Sequence, residues 1–180
     1  MRQASVEEYF SLDAGSPLRH EYYDGAICVL HDSSLSHARI TSNVLAALHR
    51  TECETFHGRM RLMTPSGLYT YPDLSAVCSE PEFIGEEERT TLLNPVLVGE
   101  VLSDTTRDYD RCEKFEMYRS IPSLREYVLI EQTRPSIEIR RRSLDRWTSS
   151  TIDSLDQVVH FASINVDLPL TRIYERVEFA

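Results

Sequence analysis

The sequence predicts an α/β fold in which helices flank a mixed β-sheet. Apolar residues at helical spacing, from about residue 35 to 52, predict the longest helix. Nearly continuous apolar residues from Val96 to Leu102 predict a strand that is covered on both faces. Because no repeat, low-complexity tract or long linker divides the 180 residues, we expect one domain spanning residues 1–180.

The other elements follow from capping and turn signals. Ser5, with Glu8 three residues later, predicts a capping box at the start of a short helix. The dipeptide Asp24-Gly25 between β-prone runs predicts a hairpin. Asp73 opens a predicted strand, and another helix is expected from about residue 109 to 120. We also expect strands near residues 60–62, 68–69, 126–130, 136–142 and 146–150, and a short helix within residues 170–177.

Composition and charge limit the classes of function. Mean hydropathy is −0.34, and no apolar run reaches the roughly 20 residues that span a bilayer, so no membrane association is expected. The first residues lack the apolar stretch of a signal peptide, and we expect a cytoplasmic protein. The net charge of −10 argues against a protein that coats nucleic acid, but an acidic pocket neutralised by cations remains compatible with it.

Two smaller patterns have simple interpretations. The four cysteines are scattered singly, without a Cys-x-x-Cys pair or a nearby zinc-type histidine spacing. We therefore expect all four to be reduced, acting as small hydrophobic residues. The acidic run at residues 86–88 predicts a solvated surface.

Two carboxylates are candidates for chemistry. Glu100 interrupts the apolar strand, where a buried carboxylate is costly unless it pairs with an Arg or Lys or binds a cation. Both solutions are open at this point. Asp73 follows a proline and belongs at the mouth of a strand. Two carboxylates held close together repel each other, and a hard cation such as Mg²⁺ removes that repulsion.

Lys114 lies on the predicted helix that follows the Glu100 strand. Phe115 and Tyr118 form part of the apolar face of this helix, so the lysine stem can lie on the core and extend its ammonium toward a cleft. Spacing alone favours a surface lysine, or a pair with Asp110 one turn earlier, over a catalytic lysine.

The chain contains an ordered set of short motifs between Ser5 and about Val177. The motifs are Ser5-Val6-Glu7-Glu8-Tyr9, Glu21-Tyr22-Tyr23-Asp24-Gly25, Tyr69-Thr70-Tyr71-Pro72-Asp73, Asn94-Pro95, Glu100-Val101-Leu102-Ser103, Tyr109-Asp110-Arg111, Lys114-Phe115-Glu116 and Ile121-Pro122-Ser123-Leu124-Arg125-Glu126-Tyr127. Each motif alone is weak, and the ordered set is specific. Together the motifs resemble the Uma-two restriction-endonuclease family, a branch of the PD-(D/E)XK superfamily.

The resemblance implies a restriction-endonuclease-like core that hydrolyses nucleic-acid phosphodiester bonds, with DNA as the first substrate to consider. Asp73 would belong to the PD element and Glu100 would be the second acid. These two residues would hold Mg²⁺ or Mn²⁺, with the Val101 carbonyl as an extra ligand. A homodimer is expected by analogy with the superfamily.

The sequence departs from the superfamily pattern at one position. Leu102 stands where the superfamily has a lysine, two residues after the second acid. The resemblance therefore implies that Lys114 is a migrated catalytic lysine, which orients or deprotonates water or neutralises developing charge. Glu21 would add a carboxylate to the pocket, although a surface charge on the hairpin explains it equally well. His37 matches a position where the family often has histidine, and a cap or surface role is the simpler interpretation.

A non-catalytic binding module for protein or nucleic acid is the alternative function. Leu102, the net charge of −10 and the absence of an extended basic groove favour the module. Retention of Asp73, Glu100 and Lys114 together opposes it, because a module has no need for two acids that converge. Arg140, Arg141 and Arg142 form the basic cluster of the sequence, and we interpret them as a phosphate patch or as protection of an edge strand.

Overall fold

The computed structural model describes residues 3–30, 33–84, 89–144 and 146–179. The predicted acidic surface at residues 86–88 lies outside these ranges. Within them the helices are α1 Val6–Gly15, α2 Leu35–Leu48, α3 Arg107–Arg111, α4 Glu113–Tyr118 and α5 Leu170–Ile173. The strands are β1 His20–Tyr23, β2 Ala26–Val29, β3 Glu54–His57, β4 Arg61–Met63, β5 Tyr69–Thr70, β6 Leu74–Val77, β7 Phe83–Ile84, β8 Thr91–Leu92, β9 Leu97–Leu102, β10 Glu126–Glu131, β11 Ile137–Ser143, β12 Arg146–Ile152, β13 Val158–Phe161 and β14 Val166–Pro169.

The main sheet has the strand order β12-β11-β10-β9-β6-β3. Strands β9 and β10 are parallel and wholly buried, and the other neighbours in this sheet are antiparallel. Helices α2 and α5 contribute to the apolar core on one face, and α4 contributes to the core on the other face. The predicted mixed sheet flanked by helices is therefore confirmed.

A second sheet, with the order β2-β1-β5-β4-β8-β7, carries the N-terminal hairpin. Asp24 and Gly25 at its turn have φ angles of 47° and 81°, the left-handed conformations that this type of tight turn requires. The predicted capping box is also present. Ser5 accepts a 3.2 Å hydrogen bond from the Glu8 amide, and Glu8 accepts a 2.8 Å hydrogen bond from the Ser5 amide.

Other expectations need correction. The helix predicted from about residue 109 to 120 is divided into α3 and α4 at Cys112, whose φ and ψ of −112° and −83° are not helical. The strands β3, β7, β8, β13 and β14 were not expected. They contain two to four residues each, too few for a reliable alternation of apolar and polar side chains.

The expectation of four reduced cysteines is wrong, because Cys53 and Cys78 form a disulfide. Strand β3 pairs with β6 in an antiparallel register that sets Glu54 opposite Val77. Cys53 directly precedes Glu54 and Cys78 directly follows Val77, so this register brings the Cα atoms of the two cysteines to 4.2 Å. Cys28 and Cys112 are free, as expected, but both are exposed and so do not act as buried hydrophobic residues.

None of the helices in the described ranges has the length and apolar character to cross a membrane. The cytoplasmic location stays a prediction.

Candidate active site

The buried ammonium of Lys114 lies between carboxylates from three elements. Lys114 Nζ is 2.9 Å from Glu21 Oε1 on β1 and 2.9 Å from Glu100 Oε1 on β9. It is also 3.5 Å from Asp110 Oδ1 on α3, one turn earlier along the chain. All four side chains are at most 9% exposed. The two interpretations of Lys114 as a pocket lysine and as a partner of Asp110 are therefore compatible.

The side-chain alternation of β9 explains why Lys114 meets Glu100. Leu97 and Val101 point to the core that includes α2, and Val98 and Leu102 point to the core that includes α4. Glu100 is two residues from both Val98 and Leu102. Because alternate side chains of a strand point to the same face, the Glu100 carboxylate lies on the α4 face. A lysine at position 102 would also lie on this face, and Lys114 approaches the same acid from the helix.

Glu100 is 4% exposed but has polar partners for both carboxylate oxygens. Its Oε1 accepts a 2.7 Å hydrogen bond from the Tyr118 hydroxyl in addition to the bond from Lys114, and its Oε2 accepts a 3.3 Å bond from the Asp73 amide. Burial raises the pKa of Glu100 to about 8. Repulsion from Asp110 and Asp73 adds to this effect, whereas Lys114 opposes it.

Glu21 is held as an anion by its neighbours. It accepts hydrogen bonds from the Thr70 hydroxyl and, at 3.3 Å, from the Tyr109 hydroxyl. Burial alone would raise the pKa of Glu21, but Lys114 and the bond from Thr70 outweigh burial, and the pKa is lowered. Glu21 is 7% exposed, so a simple surface charge on the hairpin is excluded.

Lys114 remains a cation in this environment. Burial alone would lower its pKa, but Glu100 and Glu21 outweigh burial and hold the pKa of Lys114 well above its ordinary value. A protonated amine cannot accept a proton. The geometry therefore favours charge neutralisation over general-base chemistry among the roles expected for this lysine.

Asp73 occupies the more open side of the site. Its Oδ2 accepts a 2.7 Å hydrogen bond from the Val101 amide and lies 2.9 Å from His37 Nε2. The side chains of His37 and Asp73 are 12% and 20% exposed, respectively. The expectation for His37 is half right: its amide donates to Ser34 Oγ in the α2 cap, while its ring contacts Asp73 rather than solvent alone.

These side chains line a pocket of about 320 Å³ at the carboxyl end of β9. Five carboxylates line it, those of Glu21, Asp73, Glu100, Asp104 and Asp110, and the cations Lys114 and Arg19 lie among them. Formal negative charge is therefore in excess, which favours the approach of a cation.

The donor set fits a hard divalent cation that retains most of its water. Asp73 Oδ1 has no hydrogen-bond partner among the described residues, and Glu100 Oε2 has one long hydrogen bond. Mg²⁺ in enzymes is typically held by one or two carboxylates plus waters and substrate oxygens, which matches this pair. No group of three His, Cys, Asp or Glu side chains in the described ranges is arranged to hold a metal. The arrangement thus fits a partly hydrated ion and not a closed protein cage.

Sequence reasoning missed several residues of this site. Tyr118 and Tyr109 hold Glu100 and Glu21, and neither stood out among the nine tyrosines of the chain. One unused signal is the count of lysines: Lys114 is the only lysine in the sequence, which has 18 arginines. A single lysine in an arginine-rich chain indicates a position that requires the compact charge of an ammonium and not a planar guanidinium.

The arginine cluster of β11 serves packing and lies away from the pocket lining. Strand β11 lies between β10 and β12 and is not an edge strand, so the interpretation of this cluster as edge-strand protection is wrong. The Arg141 side chain donates to Glu126 at 2.8 Å, Arg140 donates to Glu138 at 2.7 Å, and Arg142 lies 5.1 Å from the centre of the Trp147 ring.

The fold matches that of a solved nuclease-like protein. The crystal structure of a putative nuclease belonging to DUF820 from Anabaena variabilis superposes with a TM-score of 0.78. The match covers 96% of this chain and 98% of the other chain at 17% identity. At this identity the match establishes the fold and nothing finer.

The chain belongs to the Uma2 family, described as putative restriction endonuclease, because the family model matches residues 6–171. Two proteins of Synechocystis sp. (strain ATCC 27184 / PCC 6803 / Kazusa) are similar to it. Uncharacterized protein sll1609 is 30% identical over 90% of this chain and 94% of its own length. Uncharacterized protein slr1290 is 28% identical over 97% of this chain and 93% of its own length.

The raised pKa of Glu100 predicts how metal-free stability depends on pH. A carboxyl that stays protonated in the fold up to about pH 8, but ionises near 4.5 when unfolded, contributes stability at low pH. That contribution falls as pH rises from 4.5 to 8, by at most about 1.4 kcal/mol per pH unit for one proton. Urea unfolding in EDTA should show this decline in the wild type.

Glu100→Gln is the matched variant, since a neutral amide retains the acceptor for Lys114 and Tyr118 but cannot ionise. Its free energy of unfolding should fall less steeply than that of the wild type over the same pH range. Parallel pH profiles for the two proteins would contradict the assignment of a raised pKa to Glu100.

Proposed function

We propose that this protein is a metal-dependent endonuclease of the PD-(D/E)XK class, hydrolysing phosphodiester bonds in nucleic acid, with DNA as the first substrate to test. The observation that carries the proposal is that Asp73 and Glu100 line one pocket, in which the cationic Lys114 contacts Glu100. Membership in a family described as putative restriction endonuclease and the nuclease-like fold support the same activity.

The metal would be Mg²⁺ or Mn²⁺, held by Asp73 and Glu100 with the Val101 carbonyl as an extra ligand. When bound, such an ion supplies an acidified water and an electrophile for the phosphate oxygens. Lys114 would hold Glu100 in place and oppose the burial that raises the pKa of Glu100, and its charge would offset negative charge that develops on the phosphate. His37 would hold Asp73 in the orientation that leaves Oδ1 directed to the ligand.

A non-catalytic binding module is the second candidate, and two observations favour it. Lys114 is surrounded by three carboxylates, an arrangement that also serves as a buried structural ion-pair network. The described residues also include no three-ligand metal group. Metal binding separates the two candidates, because a structural network would bind no divalent ion at Asp73.

Asp73→Asn should abolish metal binding and cleavage without unfolding the protein. The amide retains an oxygen acceptor for the Val101 amide but loses the charge that the ion needs. Saturating Mn²⁺ should raise the melting temperature of the wild type by about 5 °C, and the variant should show no rise. Cleavage of plasmid, single-stranded DNA and RNA with Mg²⁺ or Mn²⁺ should fall at least about 100-fold.

Asp104→Asn is the matched control, because Asp104 also lines the pocket but its side chain is 81% exposed and pairs with Arg107 at 3.3 Å. This control should bind metal and cleave like the wild type. Undiminished cleavage by Asp73→Asn would contradict the metal site. A wild type that neither binds metal nor cleaves any of the three substrates would favour the binding module.

We further propose that the homodimer expected from the superfamily forms through β12. This strand is an outer strand of the main sheet, and its residues Thr148 to Thr151 are exposed. They include no charge and no proline, two common means of protecting an edge strand from pairing. Its pairing with β11 is continuous over seven residues, which leaves a regular edge. An antiparallel pair of β12 strands related by two-fold symmetry about the strand midpoint would set Ser149 beside its counterpart in the second copy.

Ser149→Lys should convert this dimer to a monomer, because two like charges would lie opposite each other. Ser11→Lys places the same charge on an exposed position of α1 and should leave the dimer intact. Sedimentation equilibrium would measure the mass of each protein. A monomeric wild type, or a dimeric Ser149→Lys, would contradict the proposed interface.

A further inference from the structure

The basic side chains of the pocket differ in their partners. Lys114 is paired with three carboxylates, and His37 contacts Asp73. Arg19 also lines the pocket, but among the described residues it has no acidic partner. Within the described part of the chain, no carboxylate therefore pairs with the Arg19 guanidinium at this acidic pocket, and such a charge is available to an anionic ligand.

The position of Arg19 is fixed from two sides. Its carbonyl accepts a 2.9 Å hydrogen bond from the Leu30 amide, which extends the β1–β2 ladder by one pair. Its Nη1 donates to the carbonyl of Gly58 in the turn between β3 and β4. One nitrogen of the guanidinium is thus held by the fold, while Nε and Nη2 have no hydrogen-bond partner among the described residues.

Gly58 provides the space for this arrangement. A β-carbon added at Gly58 would lie 2.9 Å from Arg19 Nη1, 3.5 Å from the Pro72 carbonyl oxygen and 3.7 Å from Asp73 Cα. Arg19 and the backbone that carries the first acid therefore both border the space that a β-carbon of Gly58 would occupy. A side chain at position 58 would displace the guanidinium, which is the flexible member of the contact.

We propose that Arg19 binds a phosphate of the nucleic-acid substrate beside the acids of the pocket. A planar guanidinium with free donors pairs with two non-bridging phosphate oxygens, a geometry that a lysine ammonium does not reproduce. The pocket otherwise presents an excess of carboxylates, which repel a polyanion. Arg19 offsets this repulsion where the substrate enters. The assignment rests on the proposed nuclease function and identifies the part of the substrate that is recognised, its sugar-phosphate backbone and not a base.

The test is the affinity of the protein for a fluorescein-labelled 20-nucleotide DNA, measured by anisotropy with Ca²⁺ over a range of salt concentrations. Arg19→Gln should weaken binding roughly tenfold at low salt, the loss of one charge-assisted contact. The slope of log affinity against log salt should decrease in magnitude by about 0.7 to 0.9, the loss of one phosphate contact. Gly58→Ala, which keeps Arg19 but displaces its guanidinium, should weaken binding to a smaller extent.

Arg50→Gln is the matched control, since it removes the same charge from an exposed residue outside the pocket lining. It should leave affinity and salt slope close to those of the wild type. Equal effects of Arg19→Gln and Arg50→Gln, in a wild type that binds and cleaves, would overturn the role of Arg19 and leave the nuclease proposal standing. A wild type that binds metal but no nucleic acid would overturn both.

Discussion

The site depends on one buried ammonium, that of Lys114, which offsets the charge of three carboxylates from separate parts of the chain. Glu21 comes from the N-terminal hairpin of the second sheet, Glu100 from the centre of the main sheet and Asp110 from the helix that follows it. Each carboxylate would be costly to bury alone. Removing the lysine would leave all three unpaired, and losing one partner of a buried pair typically costs about 3–5 kcal/mol. The lysine therefore holds the two sheets in the arrangement that forms the pocket.

The chemistry of lysine suits this position better than that of arginine. An ammonium is a compact charge whose three donors can point to three separate acceptors, and Lys114 Nζ has carboxylate oxygens at 2.9, 2.9 and 3.5 Å. A planar guanidinium favours paired oxygens of one group. The opposite side of Glu100 faces Asp73, where the oxygens are less fully bonded. Glu100 therefore belongs to the buried ion-pair network through Oε1, and its Oε2 faces the side of the pocket near Asp73, where a cation can bind.

Much of this architecture could be predicted from the sequence. A glutamate inside an apolar strand indicates either an ion pair or a cation, and Glu100 has a lysine partner on one side and Asp73 on the other. Spacing alone favoured a surface lysine or a pair with Asp110, and the family resemblance was needed to expect Lys114 in the same pocket as Glu100. The roles of Asp73, Glu100, Val101, Lys114 and Glu21 in chemistry stay predictions.

The features that could not be predicted from the sequence depend on contacts between distant segments of the chain. His37 was interpreted as a cap or surface residue because its local pattern fits the start of α2, and only the packing of α2 beside β6 brings its ring to Asp73. The disulfide depends on the register between β3 and β6, and β3 is too short to be recognised from four residues. Arg19 was overlooked because its significance comes from its position in the pocket lining and from the lack of an acidic partner among the residues that the structure describes.

The most direct test of this account is the NMR signal of the Lys114 side chain. Because the chain contains one lysine, labelling lysine with ¹⁵N at Nζ yields a single side-chain resonance. The account predicts a charged ammonium that remains protonated beyond pH 10.5, the ordinary lysine value, and whose resonance shifts when Mg²⁺ is added. The shift should be absent in Asp73→Asn. A resonance that loses its proton at or below the ordinary lysine pKa, or that does not respond to Mg²⁺, would contradict the account.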